Sequence, residues 1–405
     1  MRRARDGFVL ACALGLLSTV AAPARANIDP VAAYDARVGG MGDTGAAYVR
    51  NATAIFYNPA LLQSIDSLSV TFSVAAALPG VTHGSVPLDG PDTEVDSDIT
   101  LVPSPFLGLG YRLSKRIVLG LAAYPLEAYG GAFKDVQTLG GNDITSVIAT
   151  VESSPAVAVA VLDNLSLGFG YRITYIQQIV RSPTLIGDEF VTTETDLSGI
   201  NFAGFHVGVN YRPVKSVSLG LSYRSKIETT IDGTVDTPGL PKQDLSAEVG
   251  SPHRFKAGVA YSLLGDRLLI ALDMKMMLYE GSHEESVATL ETPAGPLKQV
   301  QPLHWNNAVG LGIGAEYAVS PRVAVRAGYS ASSSATPTET AGYFTPSPGA
   351  LHVAHVGAGL RLDHWDFDLG MIYGVRKGYL VLPRSNRGEY GGPALSLALS
   401  GTYHK

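Results

Sequence analysis

The sequence predicts an all-β protein, a 14-stranded antiparallel transmembrane β-barrel with an N-terminal hatch segment. Three observations carry that expectation. From Ser67 onward apolar and polar residues alternate, as in Leu165-Ser166-Leu167-Gly168-Phe169-Gly170-Tyr171-Arg172-Ile173-Thr174-Tyr175, the mark of a strand with one apolar and one wet face. The connections between such segments alternate short and long, as they do between the two ends of an outer-membrane barrel. No stretch beyond the N-terminal leader approaches the roughly 18 apolar residues of a membrane helix, so a spanning chain must close its strands into a ring without edges.

Residues 1–26 read as a signal peptide, with Arg2, Arg3 and Arg5 ahead of an apolar run from Gly7 to Ala22 and Ala24-Arg25-Ala26 as the cleavage site. Val9-Leu10-Ala11-Cys12 faintly resembles a lipoprotein box, the alternative for this segment. Cleavage after Ala26 leaves 379 residues without cysteine, with 26 basic against 35 acidic side chains, a net charge of −9. Such a chain is exported, stable without disulfides and unsuited to nucleic acid. Residues 27–66 do not alternate and are too few to build a core of their own. They are expected inside the barrel as a hatch, against the inward-facing Gly108, Gly110, Gly168, Gly170, Gly208, Gly220, Gly310, Gly312, Gly357 and Gly359. Strand curvature is the other reading of those glycines.

Residues 67–405 form the barrel. The fourteen strands lie near 67–78, 101–113, 116–128, 147–162, 165–180, 195–212, 215–235, 248–264, 267–282, 300–318, 321–336, 350–363, 365–378 and 392–403. Tight turns such as Ser114-Lys115 and Asp163-Asn164 mark the periplasmic side, and longer connections such as 79–100 and 283–299 the outside. Outward faces are apolar, as in Phe205, Val207, Val209 and Tyr211, with Tyr111, Tyr211, Tyr317 and Trp365 beside tight turns as an interfacial belt. A soluble β-sandwich or propeller also needs alternation but not this asymmetry of connections.

Chemistry along the chain is sparse. The histidines lack zinc-site spacing and no Gly-x-Ser-x-Gly elbow occurs, so no enzyme, metal or cofactor is expected. His253 or His355 beside a serine leaves a lipid hydrolase as a remote alternative. Asp89, Asp92, Glu94, Asp96 and Asp98 read as a solvated acidic loop rather than a cation site. Arg172, Arg224 and Arg326 face the lumen, where each would hold a carboxylate headgroup. Equally, they would pair with Asp273, Glu316, Asp366 or Asp368 and staple the hatch. Pro125, followed by Gly130-Gly131, predicts a break in the third strand, since proline removes a ladder donor.

The Gly40-Met41-Gly42 run, Phe56-Tyr57-Asn58-Pro59-Ala60, Tyr223-Arg224-Ser225, Trp305-Asn306 and Arg326-Ala327-Gly328-Tyr329 resemble the FadL/TodX-type outer-membrane transporters of long-chain fatty acids and other hydrophobic compounds. The resemblance implies a plugged barrel that captures substrate outside and releases it sideways through the kinked third strand. Phe56, Asn58, Pro59 and Ala60 of the hatch would face an opening at Tyr124 and Pro125. It implies passive transport of hydrophobic small molecules, most simply long-chain fatty acids, by a monomer in the cell outer membrane. Its surroundings would be outer-membrane lipid, lipopolysaccharide and the barrel-assembly machinery. A general porin for polar solutes is the alternative, and a structural or adhesive barrel the next.

Overall fold

A computed structural model describes residues 33–79, 83–85, 94–96, 102–136, 141–281, 284–340, 348–376, 378–381 and 387–405. The leader, the start of the hatch, Asp89, Asp92 and Asp98 lie outside the described residues.

The ring begins with β1 (Leu68–Pro79), β2 (Val102–Arg112), β3 (Ile117–Val136), β4 (Asn142–Leu162), β5 (Leu165–Ile186) and β6 (Glu189–Val214). Four strands follow in two pieces each. They are β7 (Val217–Arg224, Ile227–Asp236), β8 (Gln243–Ser251, His253–Leu263), β9 (Leu268–Leu278, Glu285–Thr292) and β10 (Gly295–Pro302, Ala308–Ala318). β11 (Val323–Ser332), β12 (Leu351–Arg361), β13 (Trp365–Arg376) and β14 (Pro393–His404) complete it. Every strand pairs antiparallel with its sequence neighbour, and β14 pairs with β1 from Ser69↔His404 to Pro79↔Ala394. The fourteen-strand barrel is therefore closed, which leaves no lipid-facing edge at that junction. Parts of the first and last long connections, His83–Ser85, Glu94–Asp96, Gly378–Val381 and Arg387–Gly391, join in a small four-stranded sheet of their own.

The outer wall is apolar where alternation predicts it: Leu107, Leu121, Phe169, Val207, Leu311 and Leu369 are all exposed. Tyr111, Tyr211, Tyr317 and Trp365 point outward beside the tight turns, with Trp365 stacked on Phe367. They supply the aromatic belt expected at a lipid–water boundary.

β4, β5 and β6 run further outward than the alternation read from the sequence, and β9 and β10 do not stop at a long connection. They continue to a hairpin around Pro293-Ala294, so that Thr289 sits within a strand. The polarity of the wall inverts there. Ile148, Ile176, Leu197, Ile231, Leu245 and Leu290 pack together inside, while Glu194, Glu228, Glu248 and Glu291 face water. On β6 a bulge makes the change: the register with β5 skips from Arg172↔Gly204 to Thr174↔Asn201, and one extra residue swaps the faces. Beyond lipid, the strands bury apolar side chains as a soluble sheet does.

This gives a topological prediction. An epitope inserted between Pro293 and Ala294 should be stained on intact cells, and one between Asp163 and Asn164 only after permeabilisation. The opposite staining would reverse the orientation.

Candidate functional site

The lumen holds residues 33–66. α1 (Ala36–Gly39) starts where Asp35 accepts from the Arg37 and Val38 amides, a standard N-cap. Asn51 and Thr53 bind the other oxygen of Asp35, each at 2.9 Å, which joins α1 to the segment before α2 (Ala54–Tyr57). Asn58 then caps a 3-10 turn over Pro59–Ser64, with proline where its missing N–H costs nothing. Its amide donates to the carbonyls of Ala46 (2.8 Å) and Val209 (3.0 Å), tying the segment to β6.

Glycines make the close approach possible at two places. A Cβ on Gly168 would collide with the backbone of Pro59 and Ala60. Gly42 has a φ of +70° and lies against the carbonyls of Ile313 and Tyr329, so it needs both the left-handed conformation and the absence of a side chain.

Both halves of the segment are held by close packing, and the first is held by charge as well. Residues 58–65 pack through apolar side chains (Leu61, Leu62, Ile65) and backbone contacts against β2 to β6. Residues 35–46 add charge to packing of the same kind, with Val38 and Met41 buried and the backbone of Met41 and Gly42 against Gly312, Gly314 and Gly328. Arg37 makes a two-pronged pair with Glu316 (2.8 and 2.7 Å), and Asp273 accepts from the Gly45 and Ala46 amides at 2.7 and 2.9 Å. Lys275 pairs with Asp43. Burial works against charge on Arg37, but Glu316 outweighs it and holds the guanidinium above its ordinary pKa.

The wall opens between β2 and β3. Their pairing runs from Arg112↔Val118 to Leu107↔Ala123 and stops, although β2 goes on pairing with β1 as far as Val102↔Ala77. On its other side β3 is bulged at Leu126, where the register with β4 skips between Pro125 and Glu127. The break expected at Pro125 is thus present, and it coincides with a seam in the wall.

Aromatic side chains line the seam from inside. Phe106 and Tyr124 stack at 5.5 Å, and Tyr34 lies 4.5 Å from Phe56 and 5.2 Å from Tyr124 between ring centres. The Tyr34 hydroxyl donates to the carbonyls of Pro125 and Leu126, the latter at 2.9 Å. These carbonyls sit at the bulge. Burial, and then Tyr124, push the Tyr34 hydroxyl well above its ordinary pKa, so it remains a donor.

Beside the seam lies a buried charge cluster. Glu152, directly paired with Tyr124 across β3 and β4, is fully buried and accepts from the Tyr124 hydroxyl. It also takes Arg172 Nε at 2.7 Å and Arg224 Nη2 at 2.6 Å. Arg172 spends a further nitrogen on the Ser225 carbonyl. Arg224 reaches His206 Nδ1 at 3.2 Å and lies over the Phe56 ring at 4.9 Å, while its Nε is buried without a hydrogen-bond partner. Two guanidinium groups on one carboxylate leave a buried excess of positive charge. Arg224 lines a small cavity together with Phe56, Tyr57, Lys256, Lys275 and Met277.

The sequence-predicted residues divide accordingly. Arg172 and Arg224 converge on one carboxylate, with Phe56, Tyr124 and Pro125 beside them. Asn58, Pro59 and Ala60 lie against β5 and β6 instead, behind Phe56. Arg326 is remote from this cluster, bonded to Glu316 and Asp368 as the stapling alternative has it. Glu152 and Tyr34 escaped sequence reading. Glu152 carried a signal, as the one acid in the stretch read as a strand over 147–162, whose outward positions include Val151, Val157 and Val159. Tyr34 carried none.

The sequence matches the profile of the family described as outer membrane protein transport protein (OMPP1/FadL/TodX) over residues 17–379. Among solved structures, a Pseudomonas aeruginosa FadL homologue is 18% identical and superposes with a TM-score of 0.75, covering 91% of this chain and 98% of its own. The Pseudomonas putida toluene transporter TodX is 16% identical with a TM-score of 0.74, over 93% and 99% of the two chains. The Ralstonia pickettii toluene transporter TbuX is 16% identical with a TM-score of 0.65, over 90% and 96%. No curated protein sequence matches the chain.

Proposed function

Because the chain belongs to the outer membrane protein transport protein family (OMPP1/FadL/TodX), whose members carry hydrophobic compounds across the outer membrane, we propose that its own substrates are long-chain fatty acids. Release would be lateral, through the seam between β2 and β3, and residues 27–66 would act as the hatch. Relatives of this fold include toluene transporters, so the choice of substrate must rest on residues of this chain.

One observation carries the reading: the guanidinium of Arg224, buried with an unpartnered Nε and in a cluster with excess positive charge, lining a cavity walled by Phe56, Tyr57 and Met277. A buried cation that lacks a full complement of acceptors favours an anion. An apolar body with a carboxylate head satisfies both halves of this environment, with arginine as the bidentate partner. Toluene offers nothing to the cation.

Arg224→Gln tests it. The variant leaves Glu152 and Arg172 as a balanced pair, so the barrel should fold. Dodecanoate binding to purified protein should weaken about tenfold or more, the worth of one charge-assisted contact, and toluene binding by much less. Equal losses for both ligands would remove the reason to prefer an acid.

A further inference from the structure

We propose that the ring of tight turns is a binding surface for anionic phospholipid, with Arg267 and Arg322, which flank Tyr317, as its strongest position. The partner is a glycerophospholipid of net negative charge, such as phosphatidylglycerol. Its phosphate meets the guanidinium groups while its acyl chains lie on the apolar wall. The tight turns read as the periplasmic side, so the lipid would be that of the inner leaflet. Which solute the barrel carries has no bearing on this surface.

Depth comes first. Each of the six tight turns carries a leucine or valine, Leu113, Leu162, Val214, Leu264, Val319 and Leu362, that is 44% to 68% exposed. A single exposed apolar side chain needs no explanation, but one in every turn does. Tyr111, Tyr211, Tyr317 and Trp365 lie within three residues of four of them and also point outward. Together they put the turns at the lipid–water boundary and not in open water.

Positive charge stands at the same level. Lys115 and Arg116, Lys215, Arg267 and Arg322 are exposed in four of these turns. The carboxylates of the six turns are Asp163, Asp266 and Asp363, so five exposed cations meet three anions. Arg212 is left out of that balance because its Nη2 turns under the barrel to Ser64 Oγ at 2.9 Å. At the opposite end of the wall Glu194, Glu228, Glu248 and Glu291 face water. The rim is thus basic in a chain that is acidic overall.

Arg267 is pre-positioned. It precedes Leu268, the direct partner of Tyr317 across β9 and β10. Its guanidinium lies over the Tyr317 ring at 5.3 Å, and Nη2 donates to the Tyr317 hydroxyl at 2.9 Å. The lipid-facing ring therefore holds the cation at the edge of the bilayer and leaves Nε and Nη1 for a phosphate, a favoured partner of arginine. Arg322 stands in the turn that follows β10. The five cations are spread from the β2–β3 turn to the β10–β11 turn. That distribution suits a surrounding layer of lipid, whereas a docked protein would call for a patch on one face.

The test is tryptophan quenching in liposomes by lipids with brominated chains, which reads the lipids beside the indole. The tryptophans are Trp305, buried inside the barrel, and Trp365, exposed at the β12–β13 turn. At that turn Asp363 is balanced by Lys405, which follows the His404 amide bonded to His364. Trp365 should therefore show no preference for brominated phosphatidylglycerol over brominated phosphatidylcholine. Val319→Trp with Trp365→Phe moves the reporter to the β10–β11 turn, where the anionic lipid should be preferred. Arg322→Gln in that background should lower the anionic-to-neutral association ratio about fivefold, the worth of one cation at a charged membrane surface. Arg267→Gln should lower it further. No preference in the reporter variant, an equal preference at Trp365, or a ratio unmoved by the arginine changes would overturn the rim site. Loss of the preference on adding glycerol 1-phosphate would overturn it too, by showing that a free phosphate and not the lipid is bound. Heat-modifiable electrophoretic migration checks folding, and Arg322→Gln alone decides the question should the double change not fold.

Discussion

Glu152→Ala should cost the barrel about 3–5 kcal/mol, the usual penalty for removing one partner of a buried ion pair. Here the penalty falls at the high end, because one carboxylate serves two guanidinium groups. The side chains of Arg172 and Arg224 are only 2% and 8% exposed. Without Glu152 they are two buried cations sharing no anion, and the Tyr124 hydroxyl loses its acceptor as well. Against a typical total stability of 5–15 kcal/mol, that is a large fraction. In a urea titration of the purified barrel the unfolding midpoint should fall sharply. Arg172→Met added to Glu152→Ala should recover part of the loss, since the carboxylate's absence then leaves one buried cation instead of two. A midpoint equal to that of the parent would mean that water or the segment re-partners both arginines, and that the cluster is not structural.

The barrel was legible because lipid enforces a simple code. Each outward position at lipid depth, such as Leu107 or Leu399, must be apolar and each inward one need only be small or paired, so strand number, turn side and aromatic belt follow from alternation. The code fails where lipid ends. Above that level Leu197 and Ile231 turn inward and Glu194 and Glu228 outward, and the strand ends beyond the expected bounds, 142–146, 181–186, 189–194 and 285–292, read as connections. The bulge on β6 hid the change further by shifting parity near Ala203. Within the site, alternation was enough to turn Arg172 and Arg224 into the lumen. It carried no information on partners, which come from diagonal neighbours across three or four strands. Glu152 lies opposite Tyr124 on one side and Thr174 on the other, and only this register brings it to Arg172. Tyr34 was beyond reach for a different reason. It belongs to a segment without periodicity, and its role depends on a β-bulge that frees the carbonyls of Pro125 and Leu126. The proline announced the bulge but not which side chain would meet it.

Closing the seam should abolish uptake of hydrophobic substrate. Leu107↔Ala123 is the last pair between β2 and β3, so Ser104 and Leu126 would face each other if that register continued. Ser104→Cys with Leu126→Cys supplies a covalent lock there, and Cys12 is the sequence's one natural cysteine, within the stretch that reads as a signal peptide. Oxidised protein should take up no long-chain acid, and reduction should restore the rate. The size of the effect follows from the alternative path. A sixteen-carbon chain leaving along the barrel axis would expose its methylenes to periplasmic water at about 0.8 kcal/mol each, more than 10 kcal/mol in all. Passage between β2 and β3 would take it from the Phe56, Phe106 and Tyr124 surface into lipid without that cost. Tyr34 stands at the threshold, so Tyr34→Phe in the unlocked protein should speed release by freeing the Pro125 and Leu126 carbonyls from their donor. Undiminished uptake with the disulfide confirmed by mass spectrometry would rule out this seam as the exit. Slow uptake that reduction fails to restore would point to damage at the aromatic cluster and not to a closed gate.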